Sequence, residues 1–180
     1  WPDRPRRAVY SSSPDRGLDF LLEVWPRVRE RVPDAELACT YAPVYGAVAA
    51  AQPAVAAWRQ QLSKLAEQPG VSWRQTGMGQ GELATLLGTS RVWLAPSWAM
   101  PQDQPFMETY CISAVEAAAA GAWRVGSAWG ALRERGLERM IGEEIAESET
   151  AARGPSAFTE EWVEAIVQAL EREQGPPAQA

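Results

Sequence analysis

The sequence predicts an α/β fold in which about six strands form a mostly parallel sheet with helices on both faces. Two observations support this prediction. Short apolar segments alternate along the chain with longer segments that have helical apolar spacing. In addition, 46% of the 180 residues are hydrophobic, which is enough for one domain with a substantial core. Right-handed crossovers between parallel strands then place helices on both faces of the sheet.

Apolar spacing defines the elements in the first part of the chain. Leu18 begins a segment with one apolar helical face, and Pro26 inside it is expected to kink or restart the helix. Another helical segment begins with Pro53. Proline suits the first turn of a helix, because the N–H that it lacks would have no partner there. The predicted elements in order are strand 8–10, helix 18–32, strand 36–41, helix 53–68 and strand 71–74.

The same alternation continues in the second part. Pro96 ends the fourth strand, and the final helix places Trp162, Ile166 and Leu170 on one side. The predicted elements are helix 82–87, strand 91–95, helix 108–120, strand 122–125, helix 131–139, a weak strand 143–146 and helix 159–173. Ligands of parallel α/β sheets bind outside the carboxyl ends of the strands. The candidate site loops are therefore 11–16, 75–79, 96–108 and 126–130.

The chain is predicted to form one domain over residues 1–174, followed by a disordered tail over 175–180. It begins with Trp1 rather than Met, so we expect it to be part of a longer protein. No run reaches the ~18 consecutive apolar residues of a membrane span, and no signal-peptide pattern opens the chain. Two cysteines in a chain of this size favour a reducing compartment, and we expect a cytoplasmic location.

The composition excludes several classes of function. Without histidine, the chain cannot complete a Ser-His-Asp or Cys-His nucleophile system. Two cysteines cannot supply the four ligands of a structural zinc site, and we expect no metal and no cofactor. The single lysine, Lys64, is not in a phosphate-loop pattern, and the segment 77–81 lacks the third glycine of a dinucleotide fingerprint. A net charge of −6 disfavours nucleic acid as a partner.

Arg16 and Gly17 follow the first strand at the start of a helix. A cation beside the positive end of a helix suits a phosphate or diphosphate. The hydroxyl groups of Ser12 and Ser13 can donate to the same oxygens. The alternative interpretation is a solvated arginine in a serine-capped turn.

Glu108 and Glu116 are eight residues apart in the predicted helix after the fourth strand, which would separate them by about 12 Å. Glu116 lies in an apolar segment, where a charge is costly without a partner, and a carboxylate accepts well from the two hydroxyls of a ribose. The amides of Cys111, Ile112 and Ser113 at the helix start suit an anion. The spacing alone is not specific, so the alternative interpretation is that Glu108 and Glu116 are simply two surface glutamates.

Several segments together resemble the donor-binding, C-terminal half of retaining GT-B glycosyltransferases of the family-4 type. The segment 108–117, ETYCISAVEA, is similar to the E-x7-E motif of that family. The segments 10–22, 92–97 and 127–132 resemble its first loop, its fourth strand and the following small-residue turn. The resemblance covers residues 7–172, and the combination is far more specific than any one segment.

The resemblance implies a Rossmann-like domain, one half of a GT-B fold, that binds a nucleotide-diphosphate sugar without a metal. It implies a hexosyl-type transfer with retention, in which Glu108 is the catalytic residue near the hydroxyls of the transferred sugar and Glu116 binds the ribose. The implied diphosphate-binding residues are Arg16, Ser12, Ser13, Cys111, Ile112 and Ser113. The implied base-binding residues are Gln75, Thr76 and Met78.

The resemblance also implies that an N-terminal half outside this chain holds the acceptor, so we expect the chain alone to be inactive. Peripheral membrane association of the full enzyme is a further open expectation. In two places the sequence departs from the family pattern. Serines 11–13 occupy the region of a usual second basic residue, and Gly130-Ala131 stands where Gly-Gly is usual.

These departures keep a second interpretation open, a degenerate and non-catalytic glycosyltransferase-like scaffold. An unrelated Rossmann-like enzyme of sugar nucleotides, such as an epimerase, is a third. The sequence does not determine the base, the sugar, the acceptor or the oligomeric state.

Overall fold

The computed structural model describes residues 3–40, 53–74, 76–97, 107–146, 149, 153–173 and 175–176. The strands are β1 (Arg7–Tyr10), β2 (Glu36–Cys39), β3 (Val71–Trp73), β4 (Val92–Ala95), β5 (Trp123–Ser127) and β6 (Arg139–Ile141). The α-helices are α1 (Leu18–Arg31), α2 (Pro53–Ala66), α3 (Gln80–Gly88), α4 (Ile112–Ala119) and α5 (Thr159–Glu171). Gly130–Glu134 and Pro155–Phe158 form short 3₁₀ helices.

The strands form one sheet in the order β3-β2-β1-β4-β5-β6, and all neighbouring strands are parallel. This arrangement confirms the predicted Rossmann-like parallel sheet. β1 pairs with β2 on one side and with β4 on the other, so the direction in which strands are added reverses between β1 and β4. Such a reversal opens a crevice at the carboxyl ends of the two strands.

Helices cover both faces because successive strand residues point to opposite sides of the sheet. Tyr10 packs in a layer with α1, α2 and α5, whose large side chains include Trp25 and Trp162. Val9 packs on the opposite face in a smaller cluster, to which α3 contributes leucines such as Leu87 and α4 contributes alanines such as Ala117. We call these the thick layer and the thin layer.

α1 continues without a break through Pro26, where a kink or restart was expected. Proline has no N–H to donate to the carbonyl four residues earlier, which is that of Leu22. The side-chain amide of Gln68 donates to this carbonyl at 2.8 Å. A side chain from the α2–β3 connection therefore supplies the hydrogen bond that Pro26 removes.

Arginines at the amino edge of the sheet bind the ends of helices. Arg4 donates to the carbonyl of Ser90, just after α3, and to that of Gly121, just after α4. Arg91 donates to the carbonyl of Leu170 in α5 at 2.7 Å. Helix ends carry carbonyls without partners inside the helix, and these side chains satisfy them.

Two predicted elements differ from the structure at their ends. The sixth strand is β6, so the prediction of strand 143–146, and of a helix that continues to residue 139, is wrong. β6 is a three-residue edge strand that begins with an exposed arginine, so it shows no apolar alternation. α3 begins before the predicted residue 82, because the Glu82 carboxylate accepts the Gly79 N–H at 3.1 Å and stabilises the first turn.

The assignment of residues 1–174 to a single domain stays a prediction, and most of the predicted tail lies outside the described residues. Every helix in the described part of the chain is too short or too polar to cross a lipid bilayer.

Candidate functional site

The loop between β1 and α1 packs against the end of β4. Gly17, just before α1, has a φ of 94°, in the left-handed region that favours glycine. A Cβ at this position would lie 2.6 Å from the carbonyl oxygen of Pro96. Glycine therefore allows the loop to close on β4, and Arg16 is brought to the crevice between the two strands.

Two aromatic side chains hold the serine segment of this loop. The Tyr10 hydroxyl donates to the carbonyl of Ser13 at 2.5 Å, and burial raises the pKa of Tyr10 well above its ordinary value, so this donor stays protonated. Trp93 Nε1 donates to Ser11 Oγ at 3.0 Å. The predicted residues Ser12 and Ser13 are half-buried in the loop that carries Arg16.

Glu108 lies at the centre of the candidate site and is only 8% exposed. Its Oε1 accepts the Cys111 N–H at 2.9 Å and lies 3.4 Å from the Tyr110 N. Its Oε2 lies 3.6 Å from Arg16 Nη1. A buried carboxylate is costly without partners, and here two amides and a guanidinium supply them. The structure thus brings together Arg16 and Glu108 from two separate loops.

The turn after β5 packs on the backbone of Glu108. The Ala131 N–H donates to the Glu108 carbonyl at 2.7 Å. Gly130 has a φ of 54°, and a Cβ there would lie 2.5 Å from the same carbonyl oxygen. Loops from β1, β4 and β5 therefore meet at Glu108. The sequence singled out this small-residue turn, but it did not show that the turn packs on the glutamate.

α4 begins at Ile112, so the prediction of a helix from residue 108 is wrong at its start. Cys111 has a φ of 56°, and it is the one non-glycine residue with positive φ in the described ranges. This conformation separates Glu108 from the helix, so the helical distance predicted between Glu108 and Glu116 does not apply. Burial raises the pKa of the Cys111 thiol. The amides of Ile112 and Ser113 open α4, where a helix offers donors without internal partners.

Glu116 lies one turn further along α4 and lines a cleft between α3 and α4. The cleft has a volume of about 520 Å³. Leu83 and Leu87 of α3 and Ala119 of α4 give it apolar walls, and Gln80 lines it at the start of α3. A half-buried carboxylate in an apolar cleft is suited to a ligand that offers hydroxyl groups beside a hydrophobic ring.

The predicted base-binding loop lies further away along the sheet. Thr76 and Met78 are in the connection from β3, an edge strand, to α3, and Gln75 lies outside the described residues. Thr76 is exposed, and its hydroxyl accepts from Arg74 Nε at 3.3 Å. The connection leads into Gln80, which lines the cleft of Glu116, so the structure relates this loop to Glu116 rather than to Glu108.

The sequence analysis did not predict a buried ion pair between Arg124 of β5 and Glu138, which directly precedes β6. Arg124 is 1% exposed, and its Nη2 lies 2.7 Å from Glu138 Oε1. Its guanidinium also donates to the carbonyls of Arg135 at 3.0 Å and Gly136 at 2.6 Å. No spacing rule links these residues, because the pairing depends on the parallel contact of β5 with β6. The pair thus holds the backbone at residues 135–136, just after the 3₁₀ helix that begins at Gly130.

Comparisons with known proteins bear on the fold. No family profile matches the sequence, and no curated protein is significantly similar to it in sequence. Solved structures of glycosyltransferases do match. The trehalose-6-phosphate synthase OtsA has a TM-score of 0.59 and 13% identity, over 96% of this chain and 45% of that chain.

Two further solved structures give the same result. Anabaena Alr3699/HepE, in complex with UDP-glucose, has a TM-score of 0.57 and 15% identity, over 92% of this chain and 47% of that chain. AviGT4, a glycosyltransferase involved in avilamycin A biosynthesis, has a TM-score of 0.53 and 19% identity, over 94% and 47%. The chain spans less than half the length of these proteins and has the fold of one half of a GT-B glycosyltransferase.

Proposed function

We propose that this chain is the C-terminal, nucleotide-sugar-binding half of a retaining glycosyltransferase of hexosyl type. The observation that supports this most strongly is the meeting of Arg16 and Glu108 at the start of α4, with Oε2 and Nη1 3.6 Å apart. This point lies at the carboxyl edge of the sheet, between the two strands where the strand order reverses.

In this proposal the donor diphosphate lies between Arg16 and the start of α4. Arg16 supplies a cation, Ser12 and Ser13 supply hydroxyl donors, and Ile112 and Ser113 supply amides at the helix start. Cys111 belongs to the same proposal, but its N–H already donates to Glu108 Oε1 and must leave it to reach a phosphate. The Arg16–Glu108 distance exceeds the roughly 2.7–2.9 Å of a tight charge-assisted hydrogen bond. A phosphate oxygen is therefore proposed to bind the guanidinium beside the carboxylate rather than in its place.

Glu108 is proposed to accept hydrogen bonds from hydroxyl groups of the transferred sugar. When the bond between the anomeric carbon and the diphosphate breaks, negative charge develops on the leaving oxygen. Arg16 and the amides at the start of α4 are proposed to stabilise that charge. These groups carry positive charge or partial positive charge themselves, and the proposed transfer uses no bound metal.

Glu116 is proposed to bind the ribose diol, with the base in or beside the cleft of about 520 Å³. The connection before α3, including Thr76 and Met78, is proposed to contact the base. Gln75 belongs to the same proposal. The apolar walls of the cleft suit a flat heterocycle, and the half-buried carboxylate suits two vicinal hydroxyls.

The acceptor is proposed to lie on a second half outside this chain, because the chain spans less than half of the solved glycosyltransferases. The isolated chain is then expected to bind donor without transferring it. Both cysteines are free and buried, which suits the proposed cytoplasmic location. Peripheral membrane contact of a full enzyme belongs to the same proposal.

Titration calorimetry of the chain with UDP-, GDP- and ADP-glucose tests the proposal. We expect one of them to bind. Arg16→Gln and Glu116→Gln are each expected to weaken its binding about tenfold or more, because each removes a hydrogen bond to a charged group. The matched controls are Arg27→Gln, whose arginine pairs with Glu160 away from the crevice, and Glu23→Gln on the exposed face of α1.

The control variants are expected to bind like the wild type. If a folded wild-type chain binds none of the three, alone or joined to an acceptor-binding half, the donor-site proposal is wrong. The non-catalytic scaffold is then the better interpretation.

A further inference from the structure

The proposed donor site contains little net positive charge. The guanidinium of Arg16 and the carboxylate of Glu108 lie 3.6 Å apart and largely neutralise each other. Serines 11–13 add hydroxyl groups but no charge. A nucleotide-diphosphate sugar carries a negative charge on each phosphate, so a second cation is needed for charge balance.

A second guanidinium lies beyond Glu108, in the connection from β5 to β6. Arg135 directly follows the 3₁₀ helix Gly130–Glu134, and its Cζ lies 4.4 Å from the ring centroid of Tyr110. This is a cation–π distance. The backbone of Tyr110 in turn faces Glu108 Oε1, with its N at 3.4 Å. Contacts therefore run without a gap from Arg16 through Glu108 and Tyr110 to Arg135.

The buried ion pair of Arg124 and Glu138 holds the main chain of Arg135 in place. Arg124 donates from Nη1 to the Arg135 carbonyl at 3.0 Å and from Nη2 to the Gly136 carbonyl at 2.6 Å. Arg124 itself is neutralised by Glu138 at 2.7 Å. These contacts use only the backbone of Arg135, so they fix its position and leave its side-chain charge uncompensated.

The charge of Arg135 has no carboxylate partner in the described chain. Its Nε is also buried without a hydrogen-bond partner there. Other surface arginines differ: Arg27, Arg31 and Arg139 each pair with a glutamate. A guanidinium stacked on an aromatic ring keeps N–H donors in its own plane for a phosphate.

We propose that Arg135 is a second diphosphate-binding residue of the donor site and that Tyr110 is the platform that orients it. Arg135 supplies the cation that the serine segment 11–13 lacks, from its position against the ring of Tyr110. The inference rests on the proposed function, since it requires a donor in the crevice. The planar fork of arginine can hold two phosphate oxygens at once.

Calorimetry on the full chain with the nucleoside diphosphate that binds best, and with the matching nucleoside, tests this assignment. Arg135→Gln is expected to weaken diphosphate binding about tenfold to hundredfold and to make it less salt-dependent. Nucleoside binding is expected to stay unchanged. Arg135→Lys, which keeps the charge but not the fork, is expected to fall between. The control is Arg172→Gln: Arg172 stacks on Trp123 at 3.7 Å, at the opposite edge of the sheet.

The outcomes separate this inference from the proposed function. If Arg135→Gln melts like the wild type and binds the diphosphate equally well, while Arg16→Gln does not, the Arg135 assignment is wrong and the donor site stands. An equal loss of nucleoside and diphosphate affinity also overturns the assignment, because it reflects a displaced turn rather than a lost charge. If the wild type binds no nucleotide, both proposals are wrong.

Discussion

Gly130→Ala tests whether the turn after β5 and Glu108 form one packed unit. Gly130 has a φ of 54°, and an added Cβ would lie 2.5 Å from the carbonyl oxygen of Glu108 and 3.1 Å from its nitrogen. Those atoms are backbone, so no side-chain rotation relieves the overlap. Gly136 is a close control, because its φ is 57° and a Cβ there meets nothing within 4 Å.

The two substitutions share the cost of placing alanine in the left-handed region, about 1–2 kcal/mol. Gly130→Ala adds the cost of forcing two backbone segments apart, which is about 1–3 kcal/mol for overpacking. The expected losses in unfolding free energy are therefore about 1–2 kcal/mol for Gly136→Ala and about 2–5 kcal/mol for Gly130→Ala. In a chain of this length, each kcal/mol lowers Tm by about 2–4 °C.

Urea denaturation at equilibrium measures both losses, and the m-value shows whether the unfolded states remain comparable. If the two variants lose the same stability within about 0.5 kcal/mol, the contact between Gly130 and Glu108 carries no packing energy and the reasoning fails. Nucleotide titration of the same variants adds a second comparison. Gly130→Ala is expected to weaken binding because Glu108 must move, and Gly136→Ala is expected to weaken it less, because its Cβ meets no atom within 4 Å.

Three further predictions concern the scaffold. Glu138→Gln is expected to cost about 3–5 kcal/mol of stability by leaving the buried charge of Arg124 unpaired. The exposed control Glu23→Gln is expected to cost less than about 0.5 kcal/mol, and equal losses in denaturation experiments would refute this. Gln68→Ala is expected to lower the unfolding free energy by about 1–3 kcal/mol in the wild type. The loss is expected to be smaller in a Pro26→Ala background, where the backbone N–H of residue 26 can donate to the Leu22 carbonyl in place of Gln68. A double-mutant cycle measures the difference. Burial raises the pKa of Cys39 from 9.0 to about 12, so the folded thiol keeps its proton where the unfolded one loses it. Stability is then lost as pH rises from 9 towards 12, by up to about 1.4 kcal/mol per pH unit for this group, and Cys39→Ala should flatten that slope in denaturation curves.

The sheet was predictable because its central strands are buried on both faces and are separated by helical segments with clear apolar spacing. β4, with Trp93 and Leu94 buried on opposite faces, is an example. β6 was not predictable. Arg139 opens it, exposed and paired with Glu161, so its position depends on contacts from elsewhere in the fold rather than on its own pattern.

The site was predictable only in part. Arg16 and Glu108 were singled out one by one, and the topology explains why they meet, since β1 and β4 are neighbours. The start of α4 could not be foreseen, because Cys111 has a left-handed conformation that its residue type does not favour. The contact between Arg135 and Tyr110 was not predictable either, because the Arg135 carbonyl is held by Arg124, and no sequence pattern links these three residues.

Because the thick layer is larger than the thin layer, the two faces of the sheet are expected to differ in how easily their helices open locally. The thin layer has fewer buried side chains than the thick layer, and the buried residues of α4 are alanines, which gain little from burial compared with the tryptophans and leucines of the thick layer. Amide protons of α3 and α4 are therefore expected to exchange with solvent at lower free-energy cost than those of α1 and α5. A nucleotide bound between α3 and α4 would slow that exchange most, and the slowing would mark the bound region helix by helix.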